Sequence, residues 1–234
     1  MAALVASTAA SSVTTIIDGR LMIAIFICGA FVFGVSGGLA GVMKKLDFFG
    51  VIVLAGVVGL AGGAVRDSFL GIPAVAIFDW RVIVAVGAAG LVSFVAHEPL
   101  LRLHYPIQVL DAIGLSLFSV IGADISLRHH SGLLAAALLG MATGVSGGVI
   151  RDLLLTEVPQ VLRGGLYAIP SLLASGLVVV GFALKTLSLT WYALAVATCL
   201  AVRLAGIFST SISRKRGMRA SAVSRRTPTQ LPQN

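Results

Sequence analysis

Charged residues are scarce in this chain, and acidic ones are the scarcest. Only 9 of the 234 residues are Asp or Glu, and 11% are charged in all, whereas about a quarter are charged in soluble domains. With 58% hydrophobic residues and a mean hydropathy of +1.03, the chain has too little polar surface to cover a water-soluble fold. The composition therefore excludes an ordinary soluble domain and indicates an integral membrane protein of one domain.

Groups that would support catalysis or structural cross-links are also few. Cys28 and Cys199 lie inside apolar runs, which gives neither a disulfide framework nor a metal-ligand spacing. The four histidines lie at segment ends without a ligand spacing on one helix face. The chain has no phosphate-binding loop, dinucleotide fingerprint or nucleophile elbow. We therefore expect neither an enzyme nor a cofactor.

Long apolar runs divide the chain into seven predicted transmembrane helices, each near the roughly 20 residues that a span requires. Predicted helices 1 to 7 cover Leu21–Met43, Phe48–Val65, Val82–Ala96, Pro106–Ala123, Ser131–Ile150, Gly164–Leu184 and Leu187–Val202. Further apolar segments with a proline follow helices 2 and 5. Because glycines crowd the ends of these two helices, we expect both to be broken at glycines within the membrane.

Basic residues indicate the orientation of the chain. Segment 209–234 has six basic residues and no acidic one, which is typical of a cytoplasmic tail near anionic lipid rather than of a nucleic-acid-binding element. With seven spans, Lys44, Lys45, Arg102 and Arg163 fall on the same side as this tail. We therefore expect a multi-pass protein of the inner (plasma) membrane, with its N-terminus outside and its C-terminus in the cytoplasm.

A six-residue motif occurs twice in the chain. Gly62-Gly63-Ala64-Val65-Arg66-Asp67, the first motif, recurs 85 positions later as Gly147-Gly148-Val149-Ile150-Arg151-Asp152, the second motif. The same offset aligns Gly59 with Gly144 and Phe33 with Phe118. Matches at a constant offset predict an internal duplication, and three crossings per copy would insert the second copy upside down.

The duplication divides the chain into five segments. They are a flexible N-terminus (1–19), the first three-helix repeat (20–105), the inverted second repeat (106–185), a seventh helix (186–208) and a disordered basic tail (209–234). The predicted fold is all-α, an inverted 3+3 repeat plus one helix. Folds of this kind place their permeation sites between the repeats, near the membrane midplane.

The motif combines residues that are costly in a membrane with residues that allow close packing. An Arg or Asp facing lipid costs roughly 2.5 to 3.5 kcal/mol, so the four charges of the two motifs are expected to be buried and paired. Each glycine lies one helical turn before a charge and leaves a notch there. The motifs are therefore candidate pore residues. The alternative is that they are static staples between the two halves, which would explain the charges but not the glycine-rich backbone.

Three other polar residues within predicted helices are weaker candidates for the ion pathway. Asp111 in helix 4 is either a pore-lining acid or an interfacial residue near the start of its helix. Ser36 in helix 1 and Ser119 in helix 4 could face a cavity, although a serine that bonds back to its own helix is commoner.

Two Gly-Gly-x-x-Arg-Asp motifs in a seven-span chain of this size resemble the prokaryotic members of the trimeric intracellular cation (TRIC) channel family. The resemblance extends from about Leu21 to Phe208. It implies a homotrimer in membrane lipid, with one pore per subunit that conducts monovalent cations, chiefly potassium, with potassium or sodium as permeant ion. It also implies that helices 2 and 5 line the pore, so the residues of both motifs are the implied site.

A second functional class stays open, because the family has also been labelled a glycine transporter. A secondary transporter of a small solute such as an amino acid would use the same inverted repeat and polar centre. In a channel, carbonyl groups and acidic side chains would instead replace the water around the ion. A scaffold without transport explains the buried charges less well.

Overall fold

The structure is a computed structural model that describes residues 19–74, 79–102, 105–163 and 167–224, with side chains described as far as residue 209. The described residues form seven long α-helices, labelled α1 to α7, which are Gly19–Met43, Phe48–Leu70, Trp80–Val95, Pro106–Arg128, Leu133–Leu154, Ala168–Ala183 and Leu189–Ser224. A short helical turn, His97–Leu101, and a 3-10 turn, Gln160–Leu162, stand between them. The described part of the chain contains no strand.

Five of these helices are long and apolar enough to cross a membrane, namely α1, α2, α4, α5 and the first part of α7. The other two, α3 and α6, have 16 residues each. At 1.5 Å per residue such a helix is about 24 Å long, somewhat less than the roughly 30 Å of a hydrocarbon core. Length and composition therefore establish a polytopic membrane protein.

The helices pack as two similar three-helix groups. In the first group α1 packs on α2, and α3 packs on both; in the second, α4 packs on α5, and α6 packs on both. The groups meet where α1 contacts α4 and α2 contacts α5. The last helix, α7, packs on α4 and α6 and so belongs to one side of the molecule.

Equivalent residues of the two groups, which are 85 positions apart in the sequence, make equivalent contacts with the opposite group. The rings of Phe33 and Phe118, which are related by this offset, lie 5.2 Å apart between centroids in the buried core. A Cβ atom added at Gly29 would lie 2.6 Å from the Phe118 ring, and one added at Gly114 would lie 2.7 Å from the Phe33 ring. Each phenylalanine therefore occupies a notch in the opposite group.

The helix ends follow the same offset. Gly71, after α2, and Thr156, after α5, both have positive φ angles, of 65° and 56°. In each case the following N–H donates to the carbonyl oxygen of the motif aspartate, from Ile72 to Asp67 at 3.0 Å and from Glu157 to Asp152 at 2.8 Å. Such left-handed caps satisfy carbonyl groups that the helix end would otherwise leave unpaired.

The prediction that helices 2 and 5 break at their glycines is wrong. Both glycine pairs lie inside continuous α-helices, and α2 and α5 end only after the motif aspartates. In hydrocarbon each unsatisfied backbone group costs several kcal/mol, which favours an unbroken ladder of helical hydrogen bonds. The glycines instead allow neighbouring helices to approach closely.

The last helix is longer than predicted. Predicted helix 7 ends at Val202, within a segment that ends at residue 208 and is followed by a predicted disordered tail, whereas α7 continues to Ser224. Residues 209–224 contain no proline, and extending an existing helix avoids the cost of nucleation. The predicted flexible segment 1–18 and the end of the tail, 225–234, lie outside the described residues.

Candidate functional site

The second motif lies at the centre of a buried ionic cluster. The Arg151 side chain is only 2% exposed, and its Nη1 donates to Asp111 Oδ1 at 2.8 Å and to Ser36 Oγ at 2.9 Å. Its Nε and Nη2 donate to Asp152 Oδ1 at 3.1 and 2.9 Å. One guanidinium thus joins α1, α4 and α5, and it brings together four of the residues selected from the sequence.

Three residues that the sequence analysis did not select complete this cluster. The backbone N–H of Gln160 donates to Asp152 Oδ2 at 2.9 Å, and the Gln160 side chain accepts from Arg203 Nη2 at 2.8 Å. The same Arg203 nitrogen lies 3.8 Å from Asp111 Oδ2, and the guanidinium lies 4.3 Å from the centre of the Tyr167 ring. The cluster therefore extends to the 3-10 turn and to α7.

The cluster balances two arginines against two carboxylates. Taking an ion out of water costs several kcal/mol, which is recovered only if the ion is paired and hydrogen-bonded. Arg151 contacts both Asp111 and Asp152, and Arg203 lies near Asp111. The net charge of this buried site is zero, so the site can lie at membrane depth.

The first motif has simpler surroundings. Arg66 is 2% exposed and donates from Nε to Asp67 Oδ1 at 2.7 Å, with a further bond from Nη2 to the same oxygen. Its guanidinium lies 5.7 Å from the centre of the Phe26 ring, within the range of a cation–π interaction. Among the described residues, Arg66 Nη1 is buried and has no hydrogen-bond partner.

The motif glycines are packing positions. A Cβ atom added at Gly62 would lie 2.5 Å from the Thr143 carbonyl oxygen, and one added at Gly147 would lie 3.1 Å from that of Val58. These two contacts are again related by the offset of 85. Gly63 is buried within α2.

Gly148 leaves room for the ionic cluster itself. A Cβ atom at this position would overlap the Tyr167 hydroxyl and would lie 2.9 Å from Asp111 Oδ1. A larger residue would therefore push apart two of the side chains that surround the arginines. The position of Gly148 explains why the second motif begins with a pair of glycines.

The weaker candidates have different outcomes. Asp111 is fully buried and binds Arg151, so it is not an interfacial residue, and Ser36 contacts the same arginine. Ser119 is also buried, but its hydrogen bonds go to the Leu115 carbonyl and the Ser171 hydroxyl. None of its hydrogen bonds within the described ranges reaches either motif.

A further buried carboxylate, Asp124, lies near the end of α4. It accepts a hydrogen bond from the Tyr192 hydroxyl on α7 and another from Arg128 Nε at 2.7 Å. The predicted helix 4 ended one residue before Asp124, just as the predicted helix 7 ended one residue before Arg203. In both cases a charged residue directly after an apolar run was the sequence feature that could have indicated a buried, paired charge. Gln160 carries no such signal.

A salt bridge outside the helices lies beside the second motif. Lys44 Nζ and Glu157 Oε1 are 2.6 Å apart, and both side chains are partly exposed. The hydrogen bond from Lys44 lowers the pKa of Glu157, so this ion pair is formed at neutral pH. No group of three or more His, Cys, Asp or Glu side chains that could hold a metal ion occurs in the described part of the chain.

Comparison with known proteins gives consistent matches. A family model described as a glycine transporter matches the chain twice, over residues 23–98 and 108–183, and the two matches begin 85 positions apart. The chain is 38% identical to a UPF0126 membrane protein of Deinococcus radiodurans over 153 residues, covering 64% of this chain and 71% of that one. It is 37% identical to the UPF0126 inner membrane protein YadS of Escherichia coli over 144 residues, covering 61% and 70%.

A solved structure is similar over most of the chain. The TRIC trimeric intracellular cation channel orthologue from Rhodobacter sphaeroides has 32% sequence identity to it and a TM-score of 0.76. The match covers 81% of this chain and 98% of that one. The two ranges of the family-model match include both motifs and most of both three-helix groups.

Proposed function

Because this chain belongs to the prokaryotic trimeric intracellular cation (TRIC) channel family, we propose that it is a passive channel for monovalent cations, chiefly potassium. The channel works as a homotrimer in the membrane, with one pore in each subunit. The structures it resembles at 27 to 32% identity are described as TRIC cation channels, which supports this assignment.

The observation that carries the proposal is the neutralised ionic cluster around Arg151. Ionisable residues inside a helical bundle mark ion or substrate pathways, because lipid makes them too costly without a function. An unpaired guanidinium would repel a passing cation, whereas Arg151 and Arg203 together with Asp111 and Asp152 present no net charge. The cluster thus allows an arginine-containing site to remain permeable to cations.

The proposed architecture is seven spans in an inverted 3+3 repeat plus one helix. Equivalent contacts between the two groups support this architecture. Gly62 faces Thr143, and the residues 85 positions away from these two, Gly147 and Val58, also face each other. Such reciprocal contacts are typical of two units related by a two-fold axis. The charged residues of both motifs, with Ser36 and Asp111, then line the pathway between the repeats.

A secondary transporter of a small amino acid is the second candidate. It is favoured by one observation, the description of the matching family model as a glycine transporter. A transporter would bind its solute and change conformation in each cycle, whereas a channel conducts many ions per opening. The two functions therefore differ in rate and in saturation.

Planar-bilayer recording of the purified protein separates the two functions. We expect discrete potassium current steps that persist without any amino acid, because a passive pore needs no solute. In parallel, vesicles containing the protein are tested for uptake of radiolabelled glycine. Saturable glycine uptake without current steps would contradict the channel and support the transporter.

The orientation of the chain is a further proposal, with the N-terminus outside and the C-terminus in the cytoplasm. It follows from the basic residues on the tail side, which would otherwise have to be translocated. A cysteine placed near Arg219 in a Cys28→Ser background is expected to resist a membrane-impermeant thiol reagent in intact cells and to react after permeabilisation. Labelling of that cysteine in intact cells would disprove this orientation.

A further inference from the structure

The arginines of the two motifs have different partners at one equivalent position of the repeat. The residue that contacts Arg66 from α1 is Phe26, and the residue that contacts Arg151 from α4 is Asp111. These two partners are themselves 85 positions apart, as the two arginines are. The first repeat therefore has a neutral ring at the position where the second repeat has a carboxylate.

The first motif's arginine also lacks a second hydrogen-bond acceptor that the second motif's arginine has. Arg151 Nη1 also donates to Ser36, and the position related to Ser36 by the offset is Ile121, which is buried and has no acceptor in its side chain. Both side-chain acceptors of this nitrogen are thus replaced by hydrophobic residues in the other copy. Accordingly, Arg66 Nη1 has no hydrogen-bond partner among the described residues.

A buried N–H of this kind is normally satisfied by ordered water when no protein acceptor is present. In a channel that passes between the two repeats, the available water is that of the ion pathway. We propose that Arg66 Nη1 faces this pathway and that Phe26, by giving this nitrogen no carboxylate in addition to the Asp67 that holds Nε and Nη2, makes the first motif the larger electrostatic barrier to cations. Position 26 then determines unit conductance. This inference rests on the proposed channel function.

The inference predicts that a carboxylate at position 26 will increase conductance. Phe26→Asp supplies Arg66 with the partner that Arg151 already has, and Phe26→Asn is the matched neutral control of nearly the same shape. We expect a several-fold higher single-channel potassium conductance for the Asp variant than for the Asn variant at about 0.1 M KCl. The ratio should approach one at about 1 M, where the Debye length falls from about 10 Å to about 3 Å.

Both variants lose the stacking of Phe26 on Phe118, whose ring centroids are 5.3 Å apart, so their folding is checked by size-exclusion chromatography. A second experiment adds the charge after folding. Phe26→Cys in a Cys28→Ser background is treated with a negatively charged or a neutral methanethiosulfonate reagent, and labelling is measured by mass spectrometry. Only the negative label is expected to raise conductance at low salt.

The outcomes separate this inference from the proposed function. Parent protein that carries no potassium current would disprove the channel itself. A conducting parent with equal conductance in the Asp and Asn variants, or with equal effects of the two labels, would overturn only the role of Phe26. A cysteine at position 26 that does not react would also overturn it, because the site would then lie away from water.

Discussion

Asp111→Ala is expected to lower the free energy of unfolding by roughly 3 to 5 kcal/mol, because it leaves buried arginine charge without its partner. Arg151 loses a hydrogen bond of 2.8 Å, and Arg203 loses its nearby carboxylate. Neither guanidinium can turn to bulk water, since both side chains are less than a tenth exposed. The measurement is thermal or denaturant unfolding of the purified protein in detergent.

Glu157→Ala provides the matched control for this prediction. It removes the same chemical group from an ion pair whose two side chains are each nearly half exposed. Pairs of that kind contribute about 0 to 1 kcal/mol, because water and salt already screen the charges. If Asp111→Ala proves no more destabilising than Glu157→Ala, the cluster around Arg151 does not stabilise the fold in the way described.

Gly62→Ala is expected to destabilise the protein and Gly56→Ala is not, although both glycines lie in α2. A Cβ atom at Gly62 would lie 2.5 Å from a backbone oxygen of α5, which cannot move aside cheaply. Overpacking of this kind costs typically 1 to 3 kcal/mol, and sometimes more. At Gly56 no atom lies within 4 Å of the added Cβ, so alanine should be neutral or stabilise the helix by up to about 1 kcal/mol.

The comparison of the two glycine variants uses the same unfolding measurement together with potassium conductance. Gly62→Ala separates α2 from α5, so we expect its conductance to change along with its stability, while Gly56→Ala conducts like the parent. Equal stability of both variants would show that α2 and α5 are not in close contact at Gly62.

Several elements of the fold were predictable because they depend on local composition. The apolar runs located the cores of all seven long helices. The charges that follow these runs marked the ends of α1, α3 and α6, whereas α2, α4, α5 and α7 continue past them. Helix bounds failed at Asp124 and Arg203, where an ionised residue stays inside the helix because it is paired with a distant partner. A sequence shows the charge but not the partner, so these helices were predicted too short.

The candidate site was predictable in its residues but not in its contacts. The Arg-Asp pairs were selected because charges within spans are costly, and the structure buries all four of them. The role of the glycines was misjudged, since glycine permits both unwinding and close packing, and sequence alone does not distinguish these. The choice depends on Phe118 and Thr143 of the neighbouring helices, which fill the notch at Gly62.

By itself, the sequence determined that this protein lies in a membrane, contains an internal repeat of 85 residues and carries two buried charged motifs. These follow from composition and from residue types at fixed spacing. Only the tertiary structure decided which side chains meet Arg151, namely Ser36, 115 positions away, and Asp111, 40 positions away. It also decided that Arg66 faces Phe26 instead. The physical reason is that hydrogen bonds and ion pairs depend on distances of a few ångströms, which are set by the packing of helices far apart in the chain.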